Sequence, residues 1–209
     1  MTTYYKVLKS DGSAVYGTGK WFLPKGKKPG KWMPPIKGEL EMCKKGYHAV
    51  DREHLVEWLN ARIFVLEFKD EPVTDGLSKY VGAQARLLSE LKTWNERTAR
   101  LFACDCAERA MKKYGNGDER SINAIRVARR FANGEATQDD LSAAFDAAFD
   151  AAFDAWADAW AAFDAARAAG AAAGADAWAA RDAARDAARD AERKWQTKRL
   201  FEYLEGKRD

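Results

Sequence analysis

Residues 51–76, DREHLVEWLNARIFVLEFKDEPVTDG, set the reading of the chain. Asp51 has the character of a helix N-cap. Behind it, His54, Leu55, Trp58 and Leu59 fall on one side of a helical wheel and Glu53 and Glu57 on the other, which predicts a helix. IFVLEF, residues 63–68, is a short apolar run rich in strand formers, as expected of a buried or half-buried strand. DEPVTDG, residues 70–76, is dense in turn formers and reads as a boundary. Strand, helix and turn chemistry at this spacing place residues 1–76 in a small α+β domain.

Upstream, YYKVL at residues 4–8 is a second strand, SDG at 10–12 a turn, and residues 14–16 a returning arm. Residues 23–38, LPKGKKPGKWMPPIKG, carry four prolines and three glycines. They form a loop anchored by aromatics, and long loops in compact domains are often functional.

From about residue 77 the pattern is helical. Val81, Ala85, Leu88 and Leu91 suit a helix over 80–91, and Leu101, Phe102, Ala107, Ala110 and Met111 suit one over 94–114. A shorter helix over 122–131 stops at Asn133 and Gly134. Thr137, with Asp140 three residues on, is a capping-box-like start. The helix it opens runs into AAFDAAFDAAFDAWADAW, residues 143–160. Each step of four residues advances a side chain by about 40° around a helix, and steps of three at Trp156 and Phe163 bring the row back. Phe145, Phe149, Phe153, Trp156, Trp160 and Phe163 therefore read as one core face, with Asp146, Asp150, Asp154 and Asp158 turned outward. Alanine occupies 27 of the 49 residues from 143 to 191, which favours helix and close helix approach. AAGAAAGA, residues 168–175, reads either as a turn between antiparallel helices or as a close-contact crossing within one helix, and the turn is favoured because two glycines four apart weaken a continuous helix. Residues 77–209 are thus expected to form an alanine-rich helical bundle.

The chain has 209 residues, 47% apolar and 32% charged, ordinary for a folded protein. No window approaches the roughly 18 apolar residues of a membrane span, and residues 1–9 lack a secretory pattern, so a cytoplasmic protein with no membrane partner is expected. Three cysteines, Cys43, Cys104 and Cys106, argue against a disulfide framework. The net charge of +3 is uneven: residues 1–38 hold eight lysines and one acid, Asp11. Such a segment attracts anions.

Three sets of residues are candidates for chemistry. In the proline loop, Trp21, Phe22, Lys25, Lys27, Lys28, Lys31 and Trp32 combine ammonium groups with aromatic faces, the pairing used by binders of nucleotides and single strands. The alternative is that Trp21 and Trp32 only pin the loop to a sheet. Tyr47 and His48 stand at an expected strand end, and the row Arg181, Arg185 and Arg189 offers a further anion contact tempered by neighbouring aspartates. A metal centre from Cys43, His48 and His54 matches no common zinc spacing. No cofactor or metal is expected, and no complete catalytic constellation is visible.

Residues 43–68 resemble the middle of an ADP-ribosyltransferase fold. That likeness implies a nicotinamide pocket at Gly46, Tyr47 and His48, with Glu67 or Glu71 as the acid. Over nearly the whole chain, the W-x-LP loop at Trp21–Pro24, the C-x-x-G-Y-H-A run at Cys43–Ala49, WNERTARLFACDCAERA from Trp94 and VARRFANGEAT from Val127 resemble uncharacterised phage and prophage proteins with alanine-rich tails. The tail is also similar to putative immunity proteins. These likenesses imply a phage protein acting in the host cytoplasm. The leading expectation is a non-enzymatic binder of an anionic, nucleotide-derived ligand that counters host defence. The alternatives are an ADP-ribosyltransferase-like enzyme and an immunity-type inhibitor contacting a host protein through its helical surface, with oligomerisation open.

Overall fold

A computed structural model describes residues 2–17, 19–114, 118–147 and 175–208, the last segment with side chains from Arg189 onward. The protein is α+β. Its chain divides into two compact units: Met1–Glu96 with Lys194–Asp209, and Arg97–Arg193. The sequence places a boundary at 76. Here the first unit runs on to 96 and takes back the C-terminal residues.

Six strands build the first unit: β1 (Tyr4–Leu8), β2 (Tyr47–Ala49), β3 (Arg62–Phe68), β4 (Val73–Thr74), β5 (Tyr80–Gly82) and β6 (Ala85–Glu90). They form two three-stranded antiparallel sheets, ordered β1-β3-β6 and β2-β5-β4. The expected helix over 80–91 is therefore overturned. Its apolar spacing fits both periods, but Ala85 and Leu87 are buried on alternate positions while Ser89 is exposed. Register then decides in favour of a strand: Phe68 faces Ala85, Leu66 faces Leu87, and Val73 faces Val81. β3–β4 and β5–β6 are thus the two arms of one long hairpin, bulged between Val65 and Leu66. Asp75 shapes its turn, its Oδ1 accepting from the backbone N–H groups of Leu77, Ser78 and Lys79 at 2.8–3.0 Å.

The two sheets also meet at their far edge. Tyr5 and Val50 exchange backbone hydrogen bonds of 2.8 and 3.1 Å, so β1 continues the ladder that β2 makes with β5. The ladder runs β1-β3-β6/β5-β2 and back to β1, which leaves few strand edges unpaired. Inside lie Leu8, Trp21, Met33, Ala49, Phe64, Leu66, Ala85 and Leu87.

Residues 51–61 do not form the expected helix. Asp51 Oδ1 accepts from His54 N at 3.1 Å and contacts His54 Nδ1 at 2.7 Å, but only a single 3-10 turn, Leu55–Glu57, follows. The segment then uses Asn60 to reach β3: its Oδ1 accepts from Ala61 N, and its carbonyl accepts from Trp94 Nε1 at 2.8 Å. A segment this short gains little from helix propagation, so tertiary bonds decide its path.

The IFVLEF run is uninterrupted because both faces of β3 are covered. Phe64 and Leu66 face the interior cluster, and Ile63 is fully buried on the opposite side. On that opposite side Tyr5 meets Phe201 edge to face at 5.6 Å. Phe201 belongs to the end of the last helix, where Leu200, Phe201, Tyr203 and Leu204 are all buried. Thr93 Oγ1 donates to Leu204 O at 2.7 Å, and Thr197 Oγ1 to Glu53 O at 3.2 Å.

In the second unit, α1 (Glu96–Tyr114) and α2 (Glu119–Ala132) are tied by Arg129, which reaches Asp105 at 2.6 Å and Glu108 at 2.9 Å. Asp118 caps α2 through Arg120 N. Asn133 and Gly134, at φ +76°, end it as the sequence predicts. The capping box is present as well: Thr137 N and Oγ1 donate to Asp140 Oδ2, and Asp140 N donates to Thr137 Oγ1. A helix α3 starts at 138 and is described to 147. In it Ala144 is buried while Phe145 is 65% exposed, so at this point the small side chain, not the ring, faces the packed side. The remaining aromatics of the row lie outside the described residues, as do residues 168–174 of the segment 168–175 where a turn is expected. The last helix, α4, spans Ala175–Leu204.

Candidate anion-binding site

The proline loop lies along the outer edge of β6. Gly30, Met33 and Ile36 donate their N–H groups to the carbonyls of Leu87, Ala85 and Ala83 at 2.8, 2.9 and 2.9 Å. Donors at every third residue are the signature of an extended, three-per-turn backbone, and Pro34 and Pro35, which have no N–H, fall between two of them. Gln84 Nε2 adds a bond to Met33 O at 2.8 Å. Gly30 is required for this course, because a Cβ there would stand 2.0 Å from Phe22 O.

Two tryptophans hold the loop, and they do so differently. Trp21 is buried at 8% exposure, with its ring edge-on to Tyr47 at 5.3 Å and 70°. Trp32 is half-buried under the guanidinium of Arg86 at 4.5 Å, and Arg86 in turn pairs with Glu67 at 2.6 Å. One face of Trp32 is therefore already covered. Phe22, 45% exposed, is the aromatic of the loop that is open to solvent.

Between these anchors the chain makes a tight turn. Lys25 N donates to Lys28 O at 3.0 Å and Lys28 N to Lys25 O at 3.1 Å, with Gly26 at φ +59°. Lys25, Lys27 and Lys28 are thereby presented together, and Lys31 follows. All four are exposed. Among the described residues none of them forms a hydrogen bond or ion pair with a side chain, so their charge is not locally neutralised.

The C-x-x-G-Y-H-A run forms the next part of the same unit. Gly46 sits at φ +138°, and a Cβ there would come within 2.1 Å of Val81 Cγ2, so only glycine brings β2 onto β5. Tyr47 Oη donates to Pro34 O at 2.8 Å and so fastens the loop. His48 Nε2 accepts from Cys43 N at 2.8 Å. Burial lowers the pKa of His48, and the charges of Lys6 and Lys79 add to the effect, so the imidazole is neutral near pH 7. Cys43, at φ +65°, receives Lys79 Nζ at 3.2 Å from its sulfur. The ammonium of Lys79 also stands over Trp58 at 4.7 Å.

One further residue at this place, Lys6, carries no distinguishing signal in the sequence. Lys6 alternates with Tyr5 and Val7 on β1, faces Phe64 in register, and shares its side of the strand with Leu8 of the interior cluster. Its Nζ donates to His48 O at 2.9 Å and lies 5.2 Å from the centroid of Trp21. Desolvation pushes its pKa down to about 8.

The other candidates are placed as follows. Arg181 and Arg185 lie outside the described side chains. His54 is engaged by Asp51, and among the described residues no three His, Cys, Asp or Glu side chains gather as a metal would need. The three cysteines are free thiols, and burial raises the pKa of Cys104, which fits a small packed residue. Glu67 is held by Arg86. No helix among the described residues is long and apolar enough to cross a membrane. No known protein family, curated protein or solved structure matches this chain.

Proposed function

We propose that this chain is a non-enzymatic binding protein that captures an anionic, nucleotide-derived ligand through the Lys25–Lys28 turn and Lys31. The observation that carries this reading is four exposed lysines that, among the described residues, have no acidic partner, on a loop whose backbone is fixed at Gly30, Met33 and Ile36. Holding the charges on a fixed frame reduces the ordering cost that flexible lysines would impose on binding. The exposed ring of Phe22 offers a surface for a base beside them. The likeness to phage and prophage proteins supports a setting in the host cytoplasm where such capture counters a nucleotide-based defence. In this reading the alanine-rich segment is a helical bundle that carries the binding unit.

Calorimetric titration with ATP and with a cyclic dinucleotide, at two salt concentrations, tests the proposal. Replacing Lys27 and Lys28 by Ala is expected to weaken binding and to lower the slope of log K against log salt by about 1 for each phosphate no longer neutralised. Equal affinity and equal salt dependence in the two proteins would refute it.

A further inference from the structure

The lysine loop is an exposed cation array. Lys6 is a different kind of cation. It extends from the middle of β1 into the apolar interior of the ladder, where Leu8, Phe64 and Leu66 are almost wholly buried. A strand position of this kind ordinarily takes an aliphatic side chain, because a desolvated ammonium without a counter-ion is costly.

Among the described residues no carboxylate meets it. The groups around it are Tyr4 on its own strand, Tyr47 and His48 on β2, Trp21 from the loop, and Lys79 acting through His48. Tyr47 gives its hydroxyl to Pro34, and Tyr4 is wedged edge-on between Phe68 and Tyr80 at 5.1 and 4.9 Å. The nearest acids act elsewhere: Asp51 accepts from His54 and from the hydroxyl of Tyr80, and Glu71 acts on Tyr4. An ammonium has three N–H donors. Among the described residues Lys6 spends one of them, on His48 O. Lys6 and Lys79 also both raise the potential at His48, which stays neutral and contributes a carbonyl rather than a charge. Lys6 as a whole is half-buried, and burial desolvates its ammonium.

We infer that Lys6 is the seat of a second anion site, where a compact oxyanion, the head group of a phosphate monoester or of a carboxylate, supplies the counter-charge that the fold omits. The ligand oxygen takes the unspent N–H donors, next to the Trp21 ring over which the ammonium stands. The site shares Trp21 with the loop but none of its four exposed lysines, so it does not require those lysines to bind anything. The lowered pKa of Lys6 agrees with it, since an ammonium awaiting its partner releases its proton more easily than one already paired.

The test uses the full chain with ¹³C-labelled lysine, following the Lys6 Cε resonance against pH in chloride, in inorganic phosphate and in acetate at matched ionic strength. Binding is expected to raise the Lys6 pKa by about one unit, a tenfold change in its proton affinity. A response to phosphate alone assigns a phosphate head group, and a response to acetate alone a carboxylate. In thermal melts the same anion is expected to raise the Tm of the wild type and of the Lys27→Ala/Lys28→Ala variant. Lys6→Met is expected to melt no lower than the wild type and to lose the response. A Lys6 resonance that titrates identically in all three salts would overturn the inference, and this measurement on the wild type holds even if Lys6→Met fails to fold. A Lys6→Met protein that melts lower yet keeps the anion response would also overturn it, leaving Lys6 as a packing and hydrogen-bonding residue.

Discussion

Phe201 offers the most direct probe of how the first unit is held together. Its ring is 3% exposed, meets Tyr5 edge to face at 5.6 Å and 72°, and carries the guanidinium of Arg52 at 3.6 Å from its centroid. Truncating a buried phenylalanine to alanine ordinarily costs about 3–5 kcal/mol, through lost transfer energy and the cavity left behind. The edge-to-face pair falls within that range, and the exposed Arg52 adds only about 0.5–1 kcal/mol of cation–π attraction. Phe201→Ala is therefore expected to destabilise the unit by about 4 kcal/mol, a large share of the roughly 5–15 kcal/mol that a domain commands. Urea unfolding followed by tryptophan fluorescence reads this loss, since Trp21 and Trp94 are both buried in the same unit. Hydrogen exchange locates it, with Tyr5 N–H losing protection. Phe145→Ala serves as the control and is expected to change stability by less than about 0.5 kcal/mol, because that ring is 65% exposed. A loss below about 1 kcal/mol for Phe201→Ala would show that the end of α4 does not pack on the sheet.

Other expectations rest on equally specific contacts. Gly46→Ala places a methyl group 2.1 Å from Val81 Cγ2 at a left-handed φ, and circular dichroism melts are expected to show a loss of more than about 2 kcal/mol. Arg129→Ala removes the guanidinium from the buried Asp105 carboxylate and is expected to cost about 3 kcal/mol in urea unfolding of the helical unit. The unfolded chain holds the Lys6 proton up to about 10.5 while the folded chain releases it near 8, so the unfolded state binds more protons in that window and this residue's contribution to stability rises with pH across it. Comparing wild type with Lys6→Met at pH 7 and pH 9.5 should show that rise in the wild type only. For His48, whose folded pKa is lowered, acidification through 6.5 protonates the unfolded chain first and stability falls, a loss that His48→Gln should reduce.

Local signals suffice where one physical cause dominates. The strands at Tyr4–Leu8 and Arg62–Phe68, the stop at Asn133 and Gly134, and the Thr137–Asp140 capping box depend on short-range chemistry that the residues themselves carry. The sequence misleads where two periods coincide. Val81, Ala85 and Leu88 satisfy a helical spacing, and only pairing with β3 and β4, distant in sequence, shows that Ala85 and Leu87 share a strand face. Residues 51–61 satisfy the helical pattern too, yet the carbonyl of Asn60 is claimed by Trp94, a bond that no local pattern announces. At the candidate site, the lysine turn was legible from composition, and its fixed course along β6 was not. Lys6 was hidden for a different reason. In an alternating strand a lysine between Tyr5 and Val7 reads as the solvent-facing member, and only the closure of the ladder turns that face inward.

The first unit is not contiguous: Met1–Glu96 is completed by Lys194–Asp209, with Arg97–Arg193 between them in the chain. In chain order, residues 97–193 are an insertion within the first unit, joined to it at both ends. A nick anywhere in 97–193 would then leave two fragments with complementary apolar surfaces, Tyr5 and Ile63 on one and Leu200, Phe201, Tyr203 and Leu204 on the other. Such fragments reassociate when their shared surface is large enough, so the protein is a natural template for a split reporter. A nick close to Arg193 would leave a short C-terminal peptide carrying Leu200, Phe201, Tyr203 and Leu204, whose retention reports the integrity of the first unit.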